Sequence, residues 1–570
     1  MSEAIPQTWP GVHTPAHRFL VAGFLCLGIA AAAYGALHLT RGPVPIFVHV
    51  RWAPDVDDAA RQEAERRYSL SQAEQLEGRT WGYTLSDLSV ANVRALVSDP
   101  AVEDTQDIDR TAFQANPTAE RRPYPASDSL IPVSLWVVTV LCVFVGLTGV
   151  SLGLIGRAAA GTVTGRFAPQ PTAEQRLMTT ERLSLLFITA LMGVCFLVAR
   201  TMELRVDEAN HLGQIQRYLA GNYVTTSTAS GGFHAMAAIF AWLTGDSEKE
   251  SIRLFVLLVS GATILTFRSL VKSFEPQVSP VRTLQFALFP LLFPFWFLIY
   301  TDVCALLVLL LAILALTRAR FHVSGILMIL SMAVRQTYVV WLALLGVWTA
   351  IVNFAGPPRQ LARRGMSFGI AAALFLLFVL ANDGVAIGDR DSHPEMELHT
   401  ENVLFMLVCF FLMFLPLIVS RLPQIARLHP ALLIGVSLSS AVLFFGTFRV
   451  DHPYNSNVTT QDIFVRNAML QAVTSSILAR VATSVAIALA ALSLFVIRLR
   501  QPVHYLIYPF AALSVMPVWL IEQRYYLAPF ALFMLFRTSA SPGVERALVA
   551  MNGVVALSLF AGVAQGWFFL

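Results

Sequence analysis

The chain has 570 residues, 56% of them hydrophobic and only 13% charged, with a mean hydropathy of +0.62 and a net charge of +4. A soluble protein of this length carries about 25% charged residues and has nowhere to hide so much apolar surface, so a soluble globular fold is excluded. The small net charge gives no reason to invoke nucleic acid as a partner.

The charges gather between long apolar runs, which is the pattern of membrane helices joined by polar loops. Spans are predicted near residues 18–38, 131–156, 183–200, 253–270, 284–299, 303–317, 321–334, 337–354, 366–381, 403–420, 430–447, 475–497, 503–519, 526–536 and 546–566. That is an all-α polytopic membrane protein of about 13–15 helices. The first run, within residues 1–41, reads as an anchor, although Ala33-Tyr34-Gly35-Ala36 places small residues as a signal peptide would. Residues 42–128 are polar, with alternation in Pro45–Val50 and Thr80–Leu85, a charged helical pattern around 55–68 and a second helix over 86–98. They predict a small extracytoplasmic α/β domain. Residues 129–182 hold the second span and a cytoplasmic linker, and residues 183–570 form the membrane domain.

Orientation follows from the basic loops. Arg157, Arg166, Arg176 and Arg182 mark one loop as cytoplasmic; Arg318 and Arg320, Arg359 and Arg363, and Arg498 and Arg500 mark others. The alternate loops carry the acids, provided that the weakly apolar stretch 231–245 does not cross the membrane. Nearly every cation is Arg, with Lys249 and Lys272 the only lysines, which fits a GC-rich bacterial genome. Cys26, Cys142, Cys195, Cys304 and Cys409 sit in apolar runs without CxxC spacing and read as buried small residues.

The outer loops are dense in ionisable groups at helix ends, where membrane proteins place functional sites. Asp207 and Glu208, followed by His211 and Arg217, offer adjacent carboxylates for general-base work or for a metal, or a solvated loop start. Asp302 lies in a polar break within an apolar hairpin. Arg335-Gln336 separates two apolar segments, where a buried anion such as a phosphate is a sufficient reason for the cation. Asp389, Arg390 and His393, then His452 and Tyr454, then Glu522, Arg524 and Tyr525 complete the set. Any one of them alone reads equally as a capped helix end or a local ion pair. There is no Walker A sequence, Gly-rich dinucleotide fingerprint or HExxH motif.

As an ordered set, these segments resemble the dolichyl-phosphate-glucose-dependent α-1,2-glucosyltransferase family, GT-C enzymes that add the terminal glucose to a lipid-linked oligosaccharide. Asp207-Glu208 with His211, Gln214 and Arg217-Tyr218 is similar to the family's first motif; so are Tyr300-Thr301-Asp302, Arg335-Gln336-Thr337 with Trp341, Gly388-Asp389-Arg390 with His393, His452-Pro453-Tyr454, and Glu522 with Arg524-Tyr525 and Pro529. The resemblance covers roughly residues 183–540; the first 170 residues stand outside it.

The resemblance implies a GT-C-type bundle and transfer of a hexose, glucose first, from a polyprenyl-phosphate donor to a glycan or glycolipid acceptor, with inversion. The site would face the exterior of a bacterial inner membrane, or the lumen of the endoplasmic reticulum in a eukaryote. Asp207 is the expected base, with Glu208 as its alternate. Arg335, Arg390 and Arg524 are expected at the donor phosphate. His211, Arg217, Asp302, Gln336, Asp389, His393, His452, Tyr454, Glu522 and Tyr525 are expected at the substrates. No cofactor and no metal is called for. A transferase for mannose or arabinose, or for a protein acceptor, is the nearest alternative. A lipid flippase is the alternative of another class, but no internal repeat of hydropathy supports it.

Overall fold

The structure is a computed structural model. It describes residues 46–85, 95–96, 99–106 and 173–566, the last apart from 228, 355, 383, 388–398, 449, 451–454 and 456–467. The spans expected at 18–38 and 131–156, and the site candidates Asp389, Arg390, His393, His452 and Tyr454, lie outside the described residues. The chain divides into two compact units, residues 26–143 and the rest.

The small unit contains β1 (Ile46–Trp52), α1 (Asp58–Arg67), β2 (Leu70–Glu77), β3 (Thr80–Leu85) and β4 (Val102–Gln106). The sheet order is β2-β3-β1-β4 with every pairing antiparallel, so β1 and β2 run parallel with β3 between them, a split βαβ arrangement. The strands expected at 45–50 and 80–85 and the helix around 55–68 are present; β2 and β4 are additional. Asp57 caps α1, its carboxylate accepting the Ala60 N–H at 2.7 Å. Val50, Trp52, Tyr83, Leu96 and Val102 form the core. Two aromatic polar tips are satisfied inside it: Trp52 Nε1 donates to Tyr83 Oη at 3.0 Å, and Tyr83 donates to Glu65 Oε1 at 2.7 Å.

The described part of the large unit is helical. In chain order it comprises α2 (Ala173–Ala199), α3 (Glu208–Leu219), α4 (Gly232–Thr244), α5 (Lys249–Phe274), α6 (Ser279–Ala287), α7 (Thr301–Thr317), α8 (Phe321–Val334), α9 (Val339–Asn353), α10 (Pro358–Asn382), α11 (Thr400–Met413), α12 (Leu415–Ile425), α13 (Pro430–Thr447), α14 (Ala468–Thr474), α15 (Ile477–Val496), α16 (Ile507–Val515), α17 (Leu527–Phe536) and α18 (Pro542–Gln565). Among the described residues, seven helical segments are long and apolar enough to cross a membrane, eight if α11 and α12, bent by 98°, count as one span. The chain is a polytopic helical membrane protein.

Several of the expected spans take another form, 403–420 as the bent pair α11 and α12 and 303–317, 321–334 and 503–519 as shorter apolar helices, and two more show why. The run 284–299 is not one helix: α6 ends at Ala287, and residues 288–300 fold as turns and a short 3-10 segment around Pro290 and Pro294. Proline removes helix donors, and irregular backbone at membrane depth is tolerated where protein encloses it. Here Trp296 Nε1 donates to the Ala287 carbonyl at 3.0 Å, and Ser260 donates to the Trp296 carbonyl at 2.9 Å. The second is α17, at the expected span 526–536. It is ten residues long and buried at every position, and ~15 Å of helix is too short to cross a bilayer. An all-round apolar helix of this kind belongs to the interior of the bundle.

Each end of the bundle carries a buried ionic network. At one end Arg537 pairs with Glu545 at 2.7 Å and donates to Gln285 Oε1 at 2.8 Å, while Arg500 pairs with Glu275 at 2.6 Å. The other network, at the start of α3 and α7 and the end of α8, is the candidate site.

Helix α4 meets α8 through Gly232, where a Cβ would collide with the carbonyl of Ala333, a backbone group that cannot swing away. Gly435, inside α13, has open space around it. Gly232→Ala is therefore expected to destabilise the protein by about 1–3 kcal/mol. Gly435→Ala should be neutral or stabilising by up to ~1 kcal/mol through helix propensity. Apparent melting temperatures in detergent, compared with wild type, check both.

Candidate active site

The site grows from a strained turn between α2 and α3. Val206 has φ +46°, a left-handed conformation that a β-branched residue adopts only when its surroundings hold it there. Those surroundings are visible. The Asp207 N–H donates to Tyr300 Oη at 3.1 Å, and Tyr300 donates to the Arg205 carbonyl at 3.3 Å. The Arg205 guanidinium reaches the Ala564 carbonyl near the end of α18 at 3.0 Å.

The turn sends its two carboxylates in opposite directions. Glu208 is 0% exposed and forms a two-point ion pair with Arg253 of α5, at 2.7 and 3.1 Å. Its remaining lone pairs accept the N–H groups of Arg205 and Ile299, both at 2.8 Å. The other N–H groups of Arg253 go to the carbonyls of Ala199 and Met202 at 2.7 Å and Glu203 at 2.9 Å. Asp207, by contrast, makes no helix-capping bond through its side chain, remains 24% exposed and lines a cavity of about 1360 Å³. The sequence offered the two acids as alternates; the geometry engages Glu208 on all sides in protein contacts and presents Asp207 to the cavity.

Around the cavity stand several further site candidates. Arg335, at the C-terminal end of α8, is ion-paired with Asp302 at the start of α7 and lies 5.4 Å from the Tyr525 ring. Arg524 sits 2.6 Å from Glu522 and 3.1 Å from Asp207, with the Tyr300 and Tyr525 rings at 5.3 and 5.8 Å. Burial alone would lower the pKa of Arg524, but Glu522 and Asp207 outweigh it and hold the guanidinium above its ordinary range. Asp302 is 4% exposed, lines the cavity, and its Oδ2 has no hydrogen-bond partner among the described residues. His211, one turn beyond Asp207, is pushed down to about 3, first by burial and then by the neighbouring His234. Arg217 is exposed and also lines the cavity. Helices α10 and α16 add apolar wall through Phe375, Val379 and Leu513.

Two glutamines of the recognised motifs are occupied with backbone. Gln214 accepts from the Thr226 N–H at 2.9 Å and donates to the Val224 carbonyl at 2.9 Å. Gln336 accepts from Ser230 N–H and Oγ at 3.0 Å and donates to the Val385 carbonyl at 3.2 Å. Both therefore brace the segment between α3 and α4 along the cavity.

Sequence reasoning passed over three members of this site. Arg253 looked like the polar edge of a span, and its only signal was a lone cation at the start of an apolar run. Tyr300 stood in a quoted motif but was given no role. His234 lay in an apolar stretch with nothing nearby in sequence to pair it.

The two acids should separate by stability. Glu208→Gln leaves the buried Arg253 without its counter-charge and is expected to cost about 3–5 kcal/mol. Asp207→Asn loosens a partly solvated pair and should leave the melting temperature within a degree or two, the effect of about 0–1 kcal/mol. Thermal unfolding of both purified variants in detergent checks the contrast; equal losses would contradict it.

The DIE2/ALG10 family profile matches residues 201–357 and 348–535. Two curated relatives carry the name Dol-P-Glc:Glc(2)Man(9)GlcNAc(2)-PP-Dol alpha-1,2-glucosyltransferase. The protein from Debaryomyces hansenii is 25% identical over 262 residues, covering 38% of this chain and 55% of that protein. The one from Candida albicans is 27% identical over 140 residues, covering 21% of this chain and 31% of that protein. The chain thus spans about half the length of the first of these relatives and less of the second. No solved structure matches. The profile takes in more than half of the sequence and every described residue of the site except Ala199 and Ala564, and the chain belongs to the DIE2/ALG10 family.

Proposed function

We propose that the protein is a membrane glycosyltransferase that transfers a hexose, glucose in the first place, from a polyprenyl-phosphate carrier to a glycan or glycolipid acceptor on the extracytoplasmic face, with inversion at the anomeric carbon. The observation that carries this reading is the single cavity that Asp207, Arg335 and Arg524 line together, with Asp207 24% exposed to it and ion-paired with Arg524. Its combination of ionic groups and apolar wall suits a substrate that is itself part sugar-phosphate and part lipid. Its volume exceeds the ~300–1,000 Å³ usual for one small ligand, which suits two substrates held together. The names of the two yeast relatives, which specify a Dol-P-Glc donor, support glucose.

In this reaction the acceptor hydroxyl attacks C1 from the face opposite the phosphate. Its proton passes to the Asp207 carboxylate as the new C1–O bond forms. The bond from C1 to the phosphate oxygen breaks, and its electron pair leaves with the polyprenyl phosphate. That leaving group has a second pKa near ~6, so it needs cations more than it needs an acid. Arg335 and Arg524 are the described cations for it. Asp302 and Glu522 pair with them and hold them oriented until the phosphate arrives. Asp302 Oδ2 is positioned to accept a sugar hydroxyl, and Arg390, His393, His452 and Tyr454 retain the roles that the family resemblance implies for them.

The direct test is purified protein incubated with a panel of polyprenyl-phosphate sugars, with released polyprenyl phosphate as the readout. Asp207→Asn should lower turnover by about 10²–10⁴-fold while donor binding stays near wild type. Arg335→Ala should weaken donor affinity and rate together, because its charge meets the phosphate before and after transfer. Full activity in both Asp207→Asn and Glu208→Gln would remove the base from this turn.

The orientation is tested separately. Ala209→Cys, on the exposed and cavity-lining start of α3, should react with an impermeant thiol reagent added from outside the membrane. Reaction only from the cytoplasmic side would invert the topology.

A further inference from the structure

Behind His211 lies a second histidine that the proposed reaction does not use. His234, on α4, is 0% exposed, and its Nε2 is 3.0 Å from His211 Nδ1. We propose that His234 is a positioning residue that fixes His211 in its Nε2–H tautomer, and that this N–H donates to an oxygen of the sugar-phosphate donor in the cavity. The inference deepens the function proposed above and rests on it for the identity of the ligand, but not for the tautomer.

The argument starts from one shared proton. Two neutral rings 3.0 Å apart hold one hydrogen between them, so one nitrogen donates and the other accepts. If His211 Nδ1 were the donor, the proton of His234 would sit on its Nδ1. That atom is buried and has no hydrogen-bond partner among the described residues. An orphaned buried N–H is the rarer and costlier defect; an acceptor left bare is tolerated more often. The favoured arrangement therefore places the proton of His234 on Nε2, donating to His211 Nδ1, and the proton of His211 on its own Nε2. Because His211 lines the cavity and turns Nδ1 toward His234, Nε2 is the nitrogen that remains for a ligand.

The surroundings hold this arrangement in place. The His211 ring packs against Phe233 and Tyr300, with centroids at 6.1 and 5.4 Å, and the His234 ring against Phe233 and Tyr218, at 5.5 and 6.2 Å. The ionic groups that act on His211 are Asp207, Arg335 and Arg524, and burial keeps the ring from taking a second proton above about pH 3. The cavity is thus offered an N–H donor that carries no charge, one helical turn from a carboxylate that only accepts. A ligand oxygen with both lone pairs free meets His211, while the hydroxyl that must lose a proton meets Asp207.

Two substitutions and one spectrum test this. His234→Phe fills the space but removes the proton that sets the tautomer; His234→Gln keeps an amide N–H at the place of Nε2. With a short-chain polyprenyl-phosphate glucose as donor, His234→Phe should raise the donor KM about tenfold, the loss of one hydrogen bond, with a smaller change in kcat. His234→Gln should recover most of it. The 15N spectrum of histidine-labelled wild-type protein, with the His211 signals identified by their loss in His211→Gln, should show Nε2 protonated. A donor KM unchanged in His234→Phe, or as high in His234→Gln as in His234→Phe, overturns the positioning role. A wild-type spectrum with the proton on His211 Nδ1 overturns the tautomer. That spectrum needs no turnover, so it stands even if no polyprenyl-phosphate sugar is accepted and the proposed reaction fails.

Discussion

The buried ion pair between Glu208 and Arg253 is the constraint on which the rest of the site depends. Removing two such charges from water costs several kcal/mol each, and the attraction between them offsets that only when every remaining donor and lone pair is also used. Here they are used. Arg253 closes carbonyls around the end of α2, while Glu208 takes the N–H groups of Arg205 and of Ile299 in the non-helical segment before α7. One pair thus ties α2, α3, α5 and the approach to α7 to a common point. The Val206 turn is held in its strained form by the same connections, and Asp207 emerges from that turn with its carboxylate unclaimed by helix capping.

From that point the site assembles by charge alternation. Asp207, Arg524 and Glu522 follow one another on one side, Asp302 and Arg335 on the other, with Tyr525 between the two guanidinium groups. Each cation is neutralised locally, which keeps the resting site from carrying uncompensated charge at a membrane. In the proposed reaction an incoming phosphate would exchange one anion for another, with no need to bring cations in from solvent. The apolar wall from α10 and α16 lies beside the ionic groups, where the proposed reaction would seat the lipid chain of the donor. The network at the other end of the bundle, around Arg537 and Glu545, is closed in by hydrogen bonds from its own neighbours.

Much of this was legible in the sequence, and the gaps have physical causes. Apolar runs separated by clustered charges declared the membrane bundle, and ionisable residues at run ends pointed to the candidate site, because both are local properties of composition. The run 284–299 was misread as a span since hydropathy does not distinguish a helix in lipid from irregular chain enclosed by protein; Pro290 and Pro294 were the warning. The two acids at 207 and 208 looked equivalent because sequence cannot reveal which neighbour meets an arginine forty-five residues away. His234 was invisible for the same reason: its importance lies in a contact across α3 and α4, and no motif encodes that. In the small unit, β1 and β3 showed their alternation, whereas β2 (Leu70–Glu77) carries bulges that break the two-residue period.

The central claim is that Asp207, Arg335 and Arg524 share one sugar-phosphate between them. The most direct measurement is an electron cryo-microscopy map of the protein with a hydrolysis-resistant phosphonate analogue of a polyprenyl-phosphate glucose. The account predicts the phosphorus between Arg335 and Arg524, the sugar over Asp302 and His211, and the open face of C1 toward Asp207, with the prenyl chain along α10 and α16. Density for the phosphonate away from both arginines, or a C1 whose open face points away from Asp207, would contradict it.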